Sequence, residues 1–331
     1  MQEKILSIVM PCYNEEDVII HTLETIVKKI TEYQINNYEI IIVDDGSKDK
    51  SLSILQEYAE QNLCVKIVSL ASNKGQQSAI YAGLCYSSGD AVILMDIDLQ
   101  DPPECIPQMI KLWNEGYHVV YGKRLKRDGE TILKRFTAYL FYRILNQLSY
   151  TNIPKDVGDF RLMDRAIVDI VINMKEHNRF NRAIVSWLGF KQIELEFDRP
   201  ERFAGETKFG WKEMLNLAKD GLFSFSYAPI QIIQGLGVFS VAISIILVIY
   251  ALTSRILGYS TPGWTSLMVV MVFFSGAILF ALGLIGEYIA RIHTEVLQRP
   301  LFIAAKTYNL KGKSLPKHVT PFMSEKNIDL Q

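Results

Sequence analysis

The chain has 331 residues and a mass of 37.8 kDa, room for one sizeable α/β domain with something smaller beside it. A formal net charge of −1 gives no bulk basic field for nucleic acid, and the four cysteines (Cys12, Cys64, Cys85, Cys105) show no CxxC spacing or His cluster that would suit zinc. The mean hydropathy of +0.12 is high for a soluble enzyme and unevenly spread: charged residues recur as far as Asp220, then vanish from Gly221 to Ser254 and again from Ile256 to Gly286.

In chain order, the first half alternates short apolar runs with amphipathic stretches. The runs Ile5–Met10, Tyr38–Val43, Val65–Leu70, Ala91–Met95 and Tyr117–Tyr121 read as strands. Between them, Glu16–Glu32, Lys50–Gln61, Gln76–Ser87 and Pro103–Glu115 read as helices. Near-continuous apolar strands separated by helices predict a mainly parallel sheet covered on both faces. Ligands of such sheets bind beyond the carboxyl ends of the strands. Every one of the first four strands ends in polar sequence: Pro11-Cys12-Tyr13-Asn14-Glu15, Asp44-Asp45-Gly46-Ser47, Ser72-Asn73-Lys74-Gly75 and Asp96-Ile97-Asp98-Leu99-Gln100-Asp101.

A helix mixing aromatics and cations is expected over Thr131–Ser149, either at the membrane interface or as an ordinary packed helix with a solvated face, and a second over Trp211–Tyr227 is expected at the interface. Two apolar spans follow at about 232–254 and 265–287, each beyond the ~20 residues that cross a bilayer core. Lys208, Lys212 and Lys219 precede the first span, Arg291, Arg299, Lys306, Lys311 and Lys313 follow the second, and only Arg255 lies between. Both termini and the first domain therefore face the cytoplasm by the positive-inside rule, as expected also from unpaired thiols and an N-terminus without a signal-peptide pattern. The expected organisation is a catalytic domain over 1–210, an interfacial segment over 211–230, two transmembrane helices within 231–290 and a cytoplasmic tail over 291–331, with Glu287 and Arg291 able to pair one turn apart. Two long buried helices of a soluble protein are the bland alternative.

Asp96 and Asp98 close an apolar strand. In a strand, residues two apart point the same way, and two carboxylates aimed together call for a hard divalent cation; Gln100 adds a neutral oxygen on that side. The same pattern is also an ordinary solvated strand end. Asp45 sits in a turn whose Ser47 or Asp49 can cap the next helix, and its carboxylate can also accept from a base or ribose. Gly158–Arg165 and Arg202–Gly210 are dense charged patches, either surface loops or a source of cations for a diphosphate. GxGxxG and GxxxxGK[ST] motifs are both missing, which excludes dinucleotide and P-loop chemistry.

Taken in series, Pro11-x-Tyr13-Asn14-Glu15, Val43-Asp44-Asp45-Gly46-Ser47, Asn73-x-Gly75-x-x-x-Ala79-x-x-x-Gly83, Asp96-x-Asp98-Leu99-Gln100-Asp101-Pro102-Pro103, Gly158-Asp159-Phe160-Arg161 and Arg202-x-x-Gly205-x-x-Lys208 resemble the inverting A-type glycosyltransferases of the dolichol-phosphate mannose synthase and polyprenyl-phosphate glucosyltransferase group. With the two spans, the likeness covers about nine tenths of the chain. The resemblance implies that Pro11, Tyr13, Glu15, Val43 and Asp45 hold the nucleoside. Asp96 and Asp98 then lie against the sugar diphosphate, with Asp98 and Gln100 ligating Mg²⁺ or Mn²⁺. It further implies that Arg124, Arg202 and Lys208 contact phosphates and that Asp159 sits near the acceptor. Ile97 departs from relatives that carry a smaller residue there, and is expected to narrow the donor pocket.

The implied reaction moves one sugar from a nucleotide sugar to a polyprenyl phosphate in the bilayer, with UDP-glucose the first expectation and UDP-N-acetylglucosamine, GDP-mannose or a modified pentose donor as alternatives. Arg124, Lys126, Arg127, Lys134 and Arg135 stand ready to recruit the lipid phosphate. A processive polysaccharide synthase is disfavoured because no Gln-x-x-Arg-Trp signature occurs and the spans are few. An idle membrane scaffold that keeps the fold, and a transporter, are the readings from other classes. Homo-oligomerisation is left open.

Overall fold

The structure, a computed structural model, describes residues 4–125, 157–177, 179, 181–198, 200, 226, 228–257 and 263–310. The expected helices over 131–149 and 211–227, the cations Lys126, Arg127, Lys134, Arg135, Arg202 and Lys208, and the last stretch of the tail lie outside the described residues.

The catalytic domain is built on an eight-stranded sheet of order β7-β5-β6-β4-β1-β2-β3-β8. In chain order the elements are β1 (Leu6–Cys12), α1 (Ile19–Glu32), β2 (Tyr38–Asp44), α2 (Ser51–Gln61), β3 (Val65–Leu70), α3 (Gln76–Tyr86), β4 (Ala91–Leu94), a short 3₁₀ turn at Pro103–Cys105 and α4 (Ile106–Asn114). They continue with β5 (Val119–Arg124), β6 (Val157–Asp164), α5 (Arg165–Asn173), α6 (Asn181–Trp187), β7 (Gln192–Phe197), α7 (Ala228–Ile256), α8 (Trp264–Leu297) and β8 (Ala304–Tyr308). The first four strands lie parallel, with β1 between β4 and β2 and β3 beyond β2. Their runs are apolar throughout because both faces are covered. Val9, Ile41 and Val43 join one core beneath α3 and α5, whereas Ile8, Met10, Ile40 and Ile42 join the other beneath α1, α2 and α4. Gly83 lets α3 approach β1 so closely that a Cβ there would collide with Val9.

Two strands, β6 and β8, break the parallel order. β6 inserts antiparallel between β4 and β5, with Leu94 opposite Arg161 and Val120 opposite Leu162. An antiparallel neighbour begins where a parallel strand ends, so β6 delivers its first residues to the carboxyl edge of β4. β7 then pairs parallel with β5. β8 pairs antiparallel with β3, placing Lys306 opposite Ser69. Residues expected as the start of a cytoplasmic tail therefore return to the sheet. The five residues Ala304-Ala305-Lys306-Thr307-Tyr308 have little apolar alternation and carry no strand signal until an edge is offered to them.

α7 has 29 residues and α8 has 34, lengths of about 44 and 51 Å at 1.5 Å per residue, against a bilayer core of about 30 Å. Their apolar windows, Pro229–Leu247 and Phe273–Leu297, are 0% buried. Apolar side chains face outward along both, Phe239 at 55%, Ile246 at 64% and Leu279 at 69% exposure. That pattern opposes the soluble-helix alternative, because a core helix hides such residues. Arg291 Nε lies 3.2 Å from Glu287 Oε1, the pair anticipated at the foot of the second span.

At the amino edge of the sheet, buried Glu39 accepts from Ser7 Oγ, from Ser88 N and Oγ, and from Lys66. Burial pushes its carboxyl upward, but Lys66, Ser7 and Ser88 outweigh burial and hold it below the ordinary glutamate value. The resulting stabilisation is present above the ordinary value and is lost as pH falls through the depressed one. Glu39→Gln should cost about 2 kcal/mol, and the variant's thermal midpoint in detergent should fall less steeply than the parent chain's as the pH drops below 4.5.

Candidate active site

The loops after β1 and β2 are laced together at the carboxyl edge. Asn14, in the left-handed region at φ 53°, donates its N–H to Ser47 Oγ at 2.9 Å, and its Oδ1 accepts from Lys48 N at 2.7 Å. The N–H of Glu15 reaches Ser51 Oγ at 2.8 Å. Asp45 N donates to the Cys12 carbonyl, and the Asp45 carboxylate accepts from Lys74 N at 2.7 Å and Gly75 N at 2.8 Å. Gly46 makes the sharp exit from β2: its φ is +70°, and a Cβ there would lie 2.8 Å from Asn73 N. Pro11, Tyr13, Glu15 and Asp45 are thus gathered on one rim, the first three half-buried and Asp45 buried. Burial moves the Asp45 carboxyl upward, against the two amide donors. Val43 is 0% exposed and packed in the core, so its side chain does not share that rim.

The Asp-x-Asp segment is not strand. β4 ends at Leu94 and the chain turns at Ile97–Asp98, with Leu99 at φ +57°. Strand alternation therefore does not govern where Asp96 and Asp98 point. Turn bonds set them instead: Asp98 Oδ1 accepts from Gln100 N at 3.1 Å, and Asp101 Oδ2 accepts from Asp96 N at 2.9 Å. Ile97 is also misplaced by the sequence argument. Its side chain is buried in the core, and its carbonyl accepts from Thr22 Oγ1 at 2.6 Å. It does not narrow a pocket at the edge.

Continuing the β4–β6 register two residues past Leu94 and Arg161 sets Asp96 beside Asp159. The patch at Gly158–Arg165 is therefore a buried strand and the start of a helix, not a surface loop. Arg161, 3% exposed, donates to the carbonyls of Gly158 and Asp159 at 2.9 and 3.3 Å and so fixes the backbone there. The Asp159 carboxylate accepts from Arg182 Nε at 3.1 Å and Nη2 at 3.3 Å, and from Gln77 Nε2 at 3.1 Å. Burial alone would raise the Asp159 carboxyl, yet Arg182, Arg161 and Gln77 hold it below the ordinary value. Gln76 Nε2 donates to Asp96 Oδ1 at 2.9 Å. Arg124, at the end of β5, reaches within 3.9 Å of Asp101 Oδ1, and its buried Nε has no hydrogen-bond partner among the described residues. A Cβ at Gly158 would stand 2.7 Å from the Arg124 guanidinium, so a larger residue there would displace that side chain.

Arg182, Gln76 and Gln77 escaped the sequence argument, and Asp101 entered it within a motif but without a role of its own. Two successive glutamines opening a helix after Gly75 were the one available signal; Arg182 had none, since its partner lies 23 residues away.

The fit of a divalent cation follows from this crowding. Among the described residues no three or more His, Cys, Asp or Glu side chains converge as a self-sufficient ligand set. The Asp96 carboxyl is instead pushed up to about 8, by burial first and then by Asp101, Asp98 and Asp159, with Arg124 opposing. An all-oxygen, acid-rich cluster left incomplete suits a hard cation whose remaining ligands come from a substrate's phosphates.

These features define a nucleotide-sugar transferase edge, and the comparisons agree on the class. Residues 7–171 match Glycosyl transferase family 2. The chain is 46% identical over 310 residues to an uncharacterized glycosyltransferase, YkcC, of Bacillus subtilis (strain 168), covering 93% of this chain and 96% of that one. It is 39% identical over 305 residues to the SfII prophage-derived bactoprenol glucosyl transferase of Shigella flexneri, covering 92% and 98%. Among solved structures, glucosyl-3-phosphoglycerate synthase from Mycobacterium tuberculosis superposes loosely, with a TM-score of 0.43 and 18% identity over 65% of this chain and 76% of that one. The chain belongs to glycosyl transferase family 2. It is a glycosyltransferase.

Arg182→Leu should leave the buried Asp159 carboxylate uncompensated and cost about 3 kcal/mol; adding Asp159→Asn should recover most of that. Urea titration of the single and double variants in mild detergent measures the coupling, and a coupling near zero would contradict the pairing.

Proposed function

We propose that the chain transfers one glucose from UDP-glucose to undecaprenyl phosphate, with inversion at the anomeric carbon, and so supplies a lipid-linked sugar for cell-envelope glycan. What carries the proposal is the presence, in one chain, of the acidic carboxyl edge at Asp96, Asp98 and Asp159 and two long helices exposing apolar side chains. The bactoprenol glucosyl transferase of Shigella flexneri, matched along nearly its whole length, supports the choice of glucose and of a polyprenyl acceptor. The arrangement we favour has residues 1–210 and both termini in the cytoplasm and two crossings within 231–290.

In this proposal Pro11, Tyr13, Glu15 and Asp45 hold the nucleoside, with Val43 acting only through its backbone. Asp96, Asp98 and Gln100 hold Mg²⁺ or Mn²⁺. The cation, when bound, supplies positive charge to the departing diphosphate, the kind of fixed electrostatic stabilisation that is usually the largest catalytic term. Arg124 donates to the donor phosphates through the Nε left without a partner among the described residues, and Arg202 and Lys208 add charge from the following segment. The acceptor is a phosphate monoester, largely dianionic near neutral pH, and already a nucleophile. Asp159, ionised and gripped by Arg182 and Gln77, has no call to take a proton. Its part is to present Arg182 to the incoming phosphate and offset the repulsion between two anions.

The test is a donor panel of UDP-glucose, UDP-N-acetylglucosamine and GDP-mannose with undecaprenyl phosphate and Mg²⁺ or Mn²⁺, read by mass. A single hexose on lipid is expected; a polymer, or no transfer from any donor, overturns the proposal. Asp98→Ala and EDTA should each abolish transfer, and near-normal turnover in either would remove the metal. Arg202→Ala should lose at least about tenfold in kcat/KM, some 1.4 kcal/mol of transition-state stabilisation.

A further inference from the structure

The cytoplasmic end of α8 is tied to the segment that carries Arg182. Beyond the charge-free stretch, α8 continues through Glu287, Arg291 and His293 to Glu295. There His177, between α5 and α6, donates its N–H to Glu295 Oε1 at 2.9 Å and sets Nδ1 3.1 Å from Oε2. Its Nε2 lies 2.6 Å from the carbonyl oxygen of Arg299. Both carboxylate oxygens and the chain just past the helix are therefore committed to one histidine.

The same short segment reaches the site. Arg179, 6% exposed, lies 3.7 Å over the Tyr81 ring of α3 and donates to the carbonyls of Val171, Met174 and Glu176. Asn181 N donates to Gln77 Oε1 at 3.2 Å while Gln77 Nε2 holds Asp159. Arg182 completes the grip on Asp159. On the far side of Arg299, Phe302 is 2% exposed and packs edge-on against Tyr81. Among the described residues, hydrogen bonds and ring packing connect Glu295 to Asp159 through His177, Arg179, Tyr81, Asn181 and Gln77.

We propose that Glu295 and His177 are positioning residues for sugar transfer: their contact fixes segment 177–182, and with it Arg182 and Asp159, at a set height above the bilayer that α8 crosses. Misplacement of about 1 Å at a reacting centre costs up to ~100-fold in rate, so a fixed height matters when the acceptor phosphate itself is held at the membrane surface. The donor half of the site, on the loops after β1 and β2, meets this segment in the described bonds only through the start of α3, where Lys74 and Gly75 hold Asp45 and Gln77 holds Asp159.

The inference rests on the lipid-phosphate reading, and the test separates the two. The full chain in undecaprenyl phosphate-containing vesicles is compared with Glu295→Ala, Glu295→Gln and His177→Ala, alongside a short-chain, water-dispersed polyprenyl phosphate as acceptor and UDP binding by calorimetry. Glu295→Ala and His177→Ala should lose at least tenfold in kcat/KM for the vesicle acceptor, keep the Kd for UDP within twofold, and lose less than threefold with the dispersed acceptor. Glu295→Gln, which keeps an acceptor for the His177 N–H, should recover most of the activity. Wild-type kinetics for Glu295→Ala in vesicles would overturn the inference, as would an equal loss on both acceptors or a matching loss of UDP affinity. If the unsubstituted chain transfers no sugar to either acceptor, the parent proposal fails first.

Discussion

Crowding of like charge at the carboxyl edge is the constraint to which the rest of the structure answers. Asp96, Asp98 and Asp101 share one turn, and the antiparallel entry of β6 adds Asp159 beside them. Carboxylates this close cannot all ionise without compensation. Two neighbouring groups meet the constraint in opposite ways. Asp159 is held ionised by Arg182, whereas Asp96 is driven up to about 8. Environments that push paired acids apart in this way divide their roles: one carboxylate is already paired, and the other is left costly to ionise without a compensating charge.

That division depends on topology more than on any single contact. Four parallel strands alone put Pro11, Asp45, Gly75 and Asp96 on one edge, as in any open α/β sheet. The reversal at β6 brings Asp159 and Gly158 to the same edge, and the end of β5 brings Arg124 against them. The family match ends at residue 171, within α5 and just short of the segment that links Arg182 to α8. The acidic edge at Asp96, Asp98 and Asp159 thus lies within the matched residues, and the link to α8 is built from sequence beyond them.

Much of this was legible in the residues. β1 to β5 and α1 to α4 announced themselves because each buries a face and so carries the period of its geometry, and the two long helices because lipid forbids charge. The turn at Ile97–Asp98 was misread as strand: local hydrogen bonds from Gln100 N and Asp96 N override an alternation that has no ladder to enforce it. β6 looked like a charged loop because Asp159 and Arg161 are buried together with partners distant in sequence. β8 carries no pattern of its own and exists because β3 leaves an edge unpaired. Arg182 is the clearest case of information that resides in no local window: its value comes from Asp159, and that pairing appears only once the sheet is assembled.

The unbroken course of α8 has a consequence of its own. It is one rod from Trp264 to Glu295, so the rotational phase of the carboxylate is set by every residue before it. Inserting or deleting a single residue within the crossing turns Glu295 by about 100° and shifts it by about 1.5 Å, enough to aim it away from His177. Anchors exchanged between relatives must therefore agree in residue count, and not only in apolar length, for the catalytic head to keep its attitude to the membrane. Hydrophobic mismatch in a thinner or thicker bilayer would be taken up by tilt of the whole head instead of by bending at a linker.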